Sequence, residues 1–381
     1  MLTAILSSSH KITHRVVFAG GGTGGHLFPG IAVARELLCR HPDAFVVFVG
    51  TGREVETRIL SREGYVVQRV RSMGLMGKSL RDIGRALLLA PITIADSFRI
   101  LGRTQPDIVI GLGGYSAGPI VLLAALRGSP TMVMEQNAVP GITNRLLARI
   151  VRSAAVSYDR TRIYFGDKAF VSGNPVRSEF FRKPSSRVNR REESSAGSRI
   201  LVVGGSQGAH ELNVAMVSAA TRLSAENVRI QVVHQTGDGD VDEVRLGYRT
   251  AGVTARVEAF FDNMDDEMRD ADIALCRAGA TTLAEIAATG LPAVVVPLPR
   301  AANDHQRLNA AVLAELGAAE VVEQEALEAN LTSLLLKLLN DHTRRKSISD
   351  AVRRLAKPDA ARLIVDRIES LVGAVSRGEF T

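Results

Sequence analysis

Two glycine turns, each followed closely by a histidine, are the residues of this chain best placed to do chemistry. Val16-Val17-Phe18-Ala19-Gly20-Gly21-Gly22-Thr23-Gly24-Gly25-His26 superposes on Ile200-Leu201-Val202-Val203-Gly204-Gly205-Ser206-Gln207-Gly208-Ala209-His210, glycines 20, 21 and 24 on 204, 205 and 208, and histidine on histidine. Each copy predicts a buried parallel strand, a tight turn and a helix whose unpaired N–H groups and dipole suit an anion. Gly20-x-Gly22-x-x-Gly25 also fits a dinucleotide fingerprint. No acid ends the next apolar run, where Gly50-Thr51-Gly52-Arg53 precedes Glu54. An anion or sugar site therefore fits this turn better than a nicotinamide or flavin, and a purely structural turn remains the alternative.

Further groups cluster in the second half. Gly204-Gly205-Ser206-Gln207-Gly208 satisfies G-x-S-x-G between strand and helix, with Asp304-His305 downstream in the order of a hydrolase triad. The first copy has Gly22 where Ser206 sits, so the glycine turn is the shared element. The hydroxyl is an addition suited to donate to a phosphate oxygen. In Arg277-Ala278-Gly279-Ala280-Thr281-Thr282-Leu283-Ala284-Glu285 a strand end runs into a helix, and Glu285 either accepts from a cis-diol or complements the helix dipole. Pro297-Leu298-Pro299 leads to Asn303-Asp304-His305-Gln306, which reads as a ligand rim or as helix capping. Asp238-Gly239-Asp240 resembles a metal-holding D-x-D, but its glycines favour a polar turn, and no other group has ligand spacing in the sequence. No metal is expected.

These groups need a scaffold, and the pattern supplies one. Apolar runs at 15–19, 45–49, 107–110 and 130–135, then at 199–203, 229–234, 256–259, 272–275 and 293–296, alternate with helical stretches. Asp107 to Gly114 is echoed by Asp272 to Gly279, and PTMVMEQN (130–137) by PAVVVPLP (292–299). Alternation of this kind implies right-handed crossovers, parallel sheets and an α/β fold of two tandem doubly wound domains. The chain has 381 residues, 46% hydrophobic and 23% charged, enough for two cores. A net charge of +7 favours an anionic partner, whether nucleic acid, membrane or phosphorylated substrate. Two cysteines, Cys39 and Cys276, are too few and too distant for a disulfide scaffold or zinc site and read as reduced and structural. Residues 1–10 fall short of a signal peptide and no run of 18 apolar residues occurs, so the expected location is cytoplasmic. Residues 178–198 lose periodicity and collect basic residues, which reads as a solvated linker. Residues 69–103 are basic, with Leu80, Ile83, Leu87, Ile94, Phe98 and Leu101 at near-helical spacing around Pro91. That stretch fits either a helix packed on the sheet or a peripheral membrane contact formed by Leu75, Met76, Lys78, Arg81 and Arg85.

Eight blocks in order, GGTGGHLFPGIAVA (20–34), GLGGYSAGP (111–119), EQNAVPGITN (135–144), SGNPVR (172–177), LVVGGSQGA (201–209), HQTG (234–237), CRAGATTLAEIAATGLPAVVVPLP (276–299) and NDHQRLNA (303–310), closely resemble a bacterial glycosyltransferase family. That family adds N-acetylglucosamine to undecaprenyl-pyrophosphoryl-N-acetylmuramyl-pentapeptide in peptidoglycan synthesis. The resemblance implies the GT-B architecture: a Rossmann-like acceptor-binding, membrane-facing domain over 1–174, a linker and basic insert over 175–198, and a UDP-sugar domain over 199–356. The closing helix, 357–381, would cross back to the first domain. It further implies an inverting, cofactor-free and metal-free hexosyltransferase on the cytoplasmic face of the inner membrane. Its partners would be UDP-N-acetylglucosamine, the lipid-linked muramyl pentapeptide and an anionic membrane surface, with no nucleic acid.

Residue by residue, the resemblance implies that Thr23, Gly24, Gly25, Asn137, Arg177, Ser206, Gln207, Gly208, Phe261, Ala280, Thr281, Thr282, Leu283, Glu285 and Gln306 bind the donor, within a stretch from Arg277 that surrounds the uridine. Gly114, Tyr115, Glu135 and Gln136 would bind the acceptor. Ala278 stands where the family often has Ser, and the basic insert is unusual. Inversion requires a base opposite the departing UDP, and His26 fits because imidazole titrates near neutrality. A structural role for that histidine at the turn is the alternative. A serine hydrolase built on Ser206 and a non-catalytic nucleotide-sugar binding module are the readings from other classes.

Overall fold

The structure, a computed structural model, describes residues 14–22, 24–72, 80–182, 197–205, 208–299, 301 and 304–376, with only the backbone at 80–88. Seven strands, β1 (Arg15–Gly20), β2 (Phe45–Gly50), β3 (Val66–Arg69), β4 (Ile108–Gly113), β5 (Thr131–Glu135), β6 (Ser153–Val156) and β7 (Ala169–Val171), form a parallel sheet ordered β3-β2-β1-β4-β5-β6-β7. Six more, β8 (Ser198–Val203), β9 (Ile230–Gln235), β10 (Thr254–Glu258), β11 (Ile273–Arg277), β12 (Ala293–Val296) and β13 (Glu320–Val321), form a second, ordered β10-β9-β8-β11-β12-β13. The strand order reverses beside β1 in one sheet and beside β8 in the other, the doubly wound pattern whose crevice receives ligands.

In the first half the helices are α1 (Gly24–Arg40), α2 (Glu54–Arg62), α3 (Leu80–Thr104), α4 (Ala117–Leu126) and α5 (Ile142–Leu147). The second half carries α6 (His210–Ala225), α7 (Val241–Thr250), α8 (Met264–Asp270), α9 (Ala280–Thr289), α10 (His305–Glu315), α11 (Gln324–Asn340), α12 (His342–Arg353) and α13 (Ala360–Ser376). Val16, Phe18, Ile108 and Ile110 belong to the core on one face of the first sheet, and Val17, Ala19, Val109 and Val133 to the core on the other. Strands covered on both faces need continuous apolar runs, which is why these were visible in the sequence. The internal repetition reaches single hydrogen bonds. Asp107 Oδ2 accepts from Arg15 N at 2.7 Å, and Asp272 Oδ2 accepts from Arg199 N at 2.7 Å.

Ile364, Val365, Ile368, Leu371 and Val372 of α13 pack into the core containing Val16 and Phe18, so the last helix covers the first domain. Arg40 of α1 holds it there through Asp366 at 2.7 Å. The linker expectation needs correction at its start. Ser178–Phe181 forms a 3-10 turn, and Phe180 is buried in the second domain's core. Residues 183–196, the rest of the basic insert, lie outside the described residues. Cys276 is buried, and burial pushes its thiol up to about 12, whereas Cys39 is exposed rather than structural.

Candidate active site

The carboxyl ends of the two sheets face one another across a cleft of about 710 Å³. Gly24, Gly25 and Phe28 line it from α1, and Val203, Gly205, Gln235, Phe261, Thr281, Thr282 and Glu285 line it from the second domain, with Arg177 between them. Thr281 Oγ1 donates to Gly25 O at 2.7 Å, and Arg62 meets Asp262 at 2.6 Å, both across the domain boundary. Asn309 is a third bridge. Its Oδ1 accepts from Ala138 N at 3.0 Å, and its Nδ2 donates to Asn137 Oδ1 and Ala278 O, each at 3.2 Å.

Glu285 is 7% exposed on α9. Burial pushes its carboxyl up to about 7, while the Arg177 guanidinium at 3.8 Å pulls the other way. Arg177 lies 4.3 Å over the Phe28 ring and 5.1 Å from that of Phe180. A guanidinium fixed by stacking, with one distant carboxylate, keeps donors for an incoming anion. Phe28 carries no polar group for a motif to announce, and Arg177, which it meets, lies far along the sequence.

The two glycine turns differ in what fills them. Glu56 of α2 is fully buried and accepts from Gly22 N, from Thr51 Oγ1 at 2.9 Å and from Gly52 N at 2.9 Å. A Cβ on Gly21 would lie 2.6 Å from its Oε1. Part of the first turn's anion-binding capacity is therefore taken by the protein's own carboxylate, a correction to the expectation of a free anion site there. Glu56 follows two residues after the Glu54 visible as an acid arriving late. By contrast, a Cβ on Gly205 would meet nothing within 4 Å.

His26, in the first turn of α1, lies against Gly113, where a Cβ would sit 2.9 Å from both Cε1 and Nδ1 of the ring. Gly113 has φ +103°, so a side chain there would be strained as well as crowded. His26 Nδ1 is 3.3 Å from Gln136 Oε1, and Gln136 Nε2 donates to Leu112 O at 3.3 Å. Together with Gly114, Tyr115, Glu135, Asn137 and His305, His26 lines a second cavity of about 200 Å³. Glu135 spends its oxygens on its own loop, accepting from Asn137 N at 3.0 Å and from Asn144 Nδ2 at 2.8 Å.

Several expected residues fall elsewhere. Leu283 is buried in the second domain's apolar core, and Ala280 is buried as well. The guanidinium of Arg277 bonds to Gln324 Oε1 at 2.6 Å and Pro297 O at 3.4 Å, outside the cleft lining. Gln306 Oε1 accepts from Leu298 N at 3.0 Å, bracing the Pro297-Leu298-Pro299 loop. Gly208, at φ +78°, shapes the turn before α6. His234 is a core residue between Tyr248 OH at 2.8 Å and Asn213 Oδ1 at 2.9 Å, and burial pushes its pKa down to about 3. Thr23, Ser206, Gln207, Leu75, Met76 and Lys78 lie outside the described residues, as do the side chains of Arg81 and Arg85.

The fold also assembles a metal-like group that ligand spacing along the sequence does not show. His210, Asp240 and Glu243, at the starts of α6 and α7, bring ligand atoms within 4.8 Å of one another. They line a small cavity of about 150 Å³ together with Asn213 and Gly247 and take no part in the interdomain cleft. Folding brings His210 to Asp240 and Glu243, which lie at the start of the next helix of the chain.

Comparison with known proteins agrees with this geometry. Residues 16–156 match the glycosyltransferase family 28 N-terminal domain and residues 199–364 its C-terminal domain. A Myxococcus xanthus protein named UDP-N-acetylglucosamine–N-acetylmuramyl-(pentapeptide) pyrophosphoryl-undecaprenol N-acetylglucosamine transferase is 41% identical over 92% of this chain and 91% of its own. A Geobacter sulfurreducens protein of the same name is 41% identical over 93% and 98%. The crystal structure of Acinetobacter baumannii MurG superposes with a TM-score of 0.72 at 30% identity, covering 94% of this chain and 99% of that one. A Neisseria meningitidis UDP-GlcNAc 2-epimerase, at 15% identity and a TM-score of 0.65, shares the fold alone. The chain belongs to glycosyltransferase family 28, in the group that contains these N-acetylglucosamine transferases.

Proposed function

We propose that this chain transfers N-acetylglucosamine from UDP-N-acetylglucosamine to the C4 hydroxyl of undecaprenyl-pyrophosphoryl-N-acetylmuramyl-pentapeptide, with inversion to a β-1,4 link. What carries this reading is the interdomain cleft, with Glu285 and Arg177 on one wall and the α1 start on the other, in a chain 41% identical to transferases of that name. Glu285 holds the ribose diol as an ionised carboxylate, and Phe261 with Gln235 borders the base. Arg177, Thr282 and the amides around Gly205 and Gly208 face the pyrophosphate, where negative charge grows as UDP departs. Thr23, Ser206 and Gln207 belong to the same group by sequence. Gly24, Gly25 and Asn137 approach the donor from the first domain, and Gln306 stabilises the loop beside the sugar.

His26, at the head of α1 between the donor cleft and the smaller cavity, takes the proton from the attacking hydroxyl. Gly114 and Tyr115 border the acceptor in that cavity, with Glu135 and Gln136 behind them. No described helix is long and apolar enough to cross a membrane. The acceptor's lipid keeps it at a bilayer, and this reading puts the enzyme on the cytoplasmic face of the inner membrane. Ile94 and Phe98 of α3 and Leu126 of α4 are exposed, with the Arg127 guanidinium 4.9 Å over the Phe98 ring. Apolar side chains among basic ones suit an anionic leaflet.

The decisive experiment supplies radiolabelled UDP-N-acetylglucosamine and a lipid-linked muramyl pentapeptide analogue. Acceptor-dependent labelled product with β stereochemistry is expected. UDP-N-acetylglucosamine binding without transfer would reduce the chain to a binding module. Attachment to anionic vesicles should weaken as salt rises from 0.05 to 0.5 M on the order of screening at those strengths; salt-insensitive attachment would remove the electrostatic part.

A further inference from the structure

We infer that Gln136 is the positioning residue of the base: it fixes the His26 ring with the proton on Nδ1 and the lone pair of Nε2 free to take the acceptor's proton. The inference rests on reading His26 as the base and assigns Gln136 to the imidazole instead of to the acceptor.

Gln136 is 3% exposed, which leaves its amide almost no surface for a ligand. One end of that amide faces the carbonyl of Leu112 at 3.3 Å. A carbonyl oxygen can only accept, so the NH₂ group must lie on that side and the amide oxygen on the other. The amide oxygen lies 3.3 Å from His26 Nδ1. It too can only accept, so Nδ1 carries the hydrogen and Nε2 does not. The relay runs from a main-chain oxygen that cannot change its role, through Gln136, to the ring. A base held by a third group is the arrangement that activated hydroxyl chemistry requires. Gly113 completes it, because the ring occupies the space a Cβ would need.

The second half of the chain supplies an internal control. In the alignment of PTMVMEQN with PAVVVPLP, Gln136 corresponds to Leu298 and Gly113 corresponds to Ala278. The copy that keeps the histidine, as His210, has lost both the acceptor for its Nδ1 and the glycine beside it. His210 Nδ1 meets Asp240 Oδ2 at 3.1 Å on the surface instead.

The test uses the full chain with ¹⁵N-labelled histidine. Long-range ¹H–¹⁵N correlation should report His26 as the Nδ1–H tautomer in the native protein and a shift toward Nε2–H in Gln136→Leu. Gln136→Leu should lower kcat at least tenfold while the donor KM stays within threefold. Gln136→Glu places a carboxylate against Nδ1 and favours the imidazolium. The acid limb of its kcat/KM profile should therefore move up by about one pH unit, in the company of Tyr115, Glu135 and His305, the other titratable groups of that cavity. If Gln136→Leu fails to bind UDP, Gln136→Glu carries the test alone. An Nε2–H tautomer in the native protein overturns the proposal. So does an unmoved limb in Gln136→Glu combined with at least a hundredfold loss in His26→Ala, a result that leaves the base standing. A His26→Ala enzyme within fivefold of native kcat removes the base itself, and the proposal with it.

Discussion

His26 and His210 occupy the same place in two copies of one strand–turn–helix unit, and the fold uses them in opposite ways. His26 sits inside the interdomain region, against Gly113 and Gln136. His210 opens α6 on the outer surface beside Asp240, and that carboxylate raises its pKa. The turns preceding them differ in the same manner. Glu56 fills part of the first from within, while the space at Gly205 in the second is open toward the cleft. The two copies present equivalent helix starts, and their surroundings set them apart: Glu56, Gly113 and Gln136 in the first, Asp240 in the second. The lesson is that a glycine turn specifies backbone geometry, and its chemistry comes from residues distant in sequence.

The sharpest way to break this comparison is to remove each histidine in turn. His26→Ala should lower kcat roughly a hundred- to ten-thousandfold, the usual contribution of a positioned base. His210→Ala should leave kcat within about twofold, because surface substitutions away from a site seldom matter. Steady-state transfer kinetics on both variants decide it. Equal losses would mean that the second copy also reaches the reaction centre.

Much of this was legible in the sequence, and the failures have physical reasons. The long apolar strands, both glycine turns and the two parallel sheets follow from hydrophobic runs and punctuation. β3, β6, β7 and β13 escaped because they are short and their residues, such as Val66-Val67-Gln68-Arg69 and Glu320-Val321, carry too little apolar pattern. The family resemblance placed Arg277 in the stretch around the nucleotide. Gln324, far along the chain, draws its guanidinium aside. Leu283 was expected there too, and helical phase turned it into the core. The pairing of His26 with Gln136 spans 110 residues and no local pattern announces it. The blocks that resemble the family contribute many of the residues that line the interdomain cleft, among them Gly24, Gly25, Arg177, Gly205, Thr282 and Glu285. Side-chain direction within that region needed coordinates.

A second pair of predictions concerns the wall opposite His26. Glu285→Ala should lower donor kcat/KM by roughly 1–3 kcal/mol, or about five- to 150-fold, through loss of charged hydrogen bonds. Burial pushes the Glu285 carboxyl up to about 7, so the ionised form proposed to hold a diol declines below that pH. The native donor KM should rise as pH falls through 7, and a Glu285→Gln enzyme, weak throughout, should lack that rise. Stability without donor runs the other way. A carboxyl whose folded pKa exceeds its unfolded value, ~4.3, stabilises the fold below that lower value and loses this contribution as pH climbs through 7. Glu285→Gln should therefore gain stability over the native protein from about pH 5 upward, by on the order of 1–3 kcal/mol at pH 8. Denaturant melts at pH 5 and pH 8 that show no such divergence would mean that water reaches this carboxyl.

The smallest expected effect lies at the other histidine. Asp240 accepts from His210 at 3.1 Å and from Asn213 Nδ2 at 2.7 Å, which joins the starts of α6 and α7. A hydrogen bond and the charge of Asp240 raise the His210 pKa, so the charged pair contributes below the unfolded imidazole's ~6.5 and loses its contribution as pH rises through the folded value. His210 is exposed, and solvent screening limits such a pair to under about 0.5 kcal/mol. His210→Ala should thus destabilise slightly at pH 5.5 and not measurably at pH 8.5. Added salt should erase the difference. His210, Asp240 and Glu243 are also the metal-like group of the described residues, lining a surface cavity separate from the interdomain cleft. If leaving-group charge is met by Arg177 and helix-start amides, exhaustive chelation should leave transfer unchanged in both the native protein and His210→Ala. Loss of activity on chelation, restored by a divalent ion in the native protein but not in His210→Ala, would overturn the division of labour between the two copies, because it would place the second histidine in the chemistry.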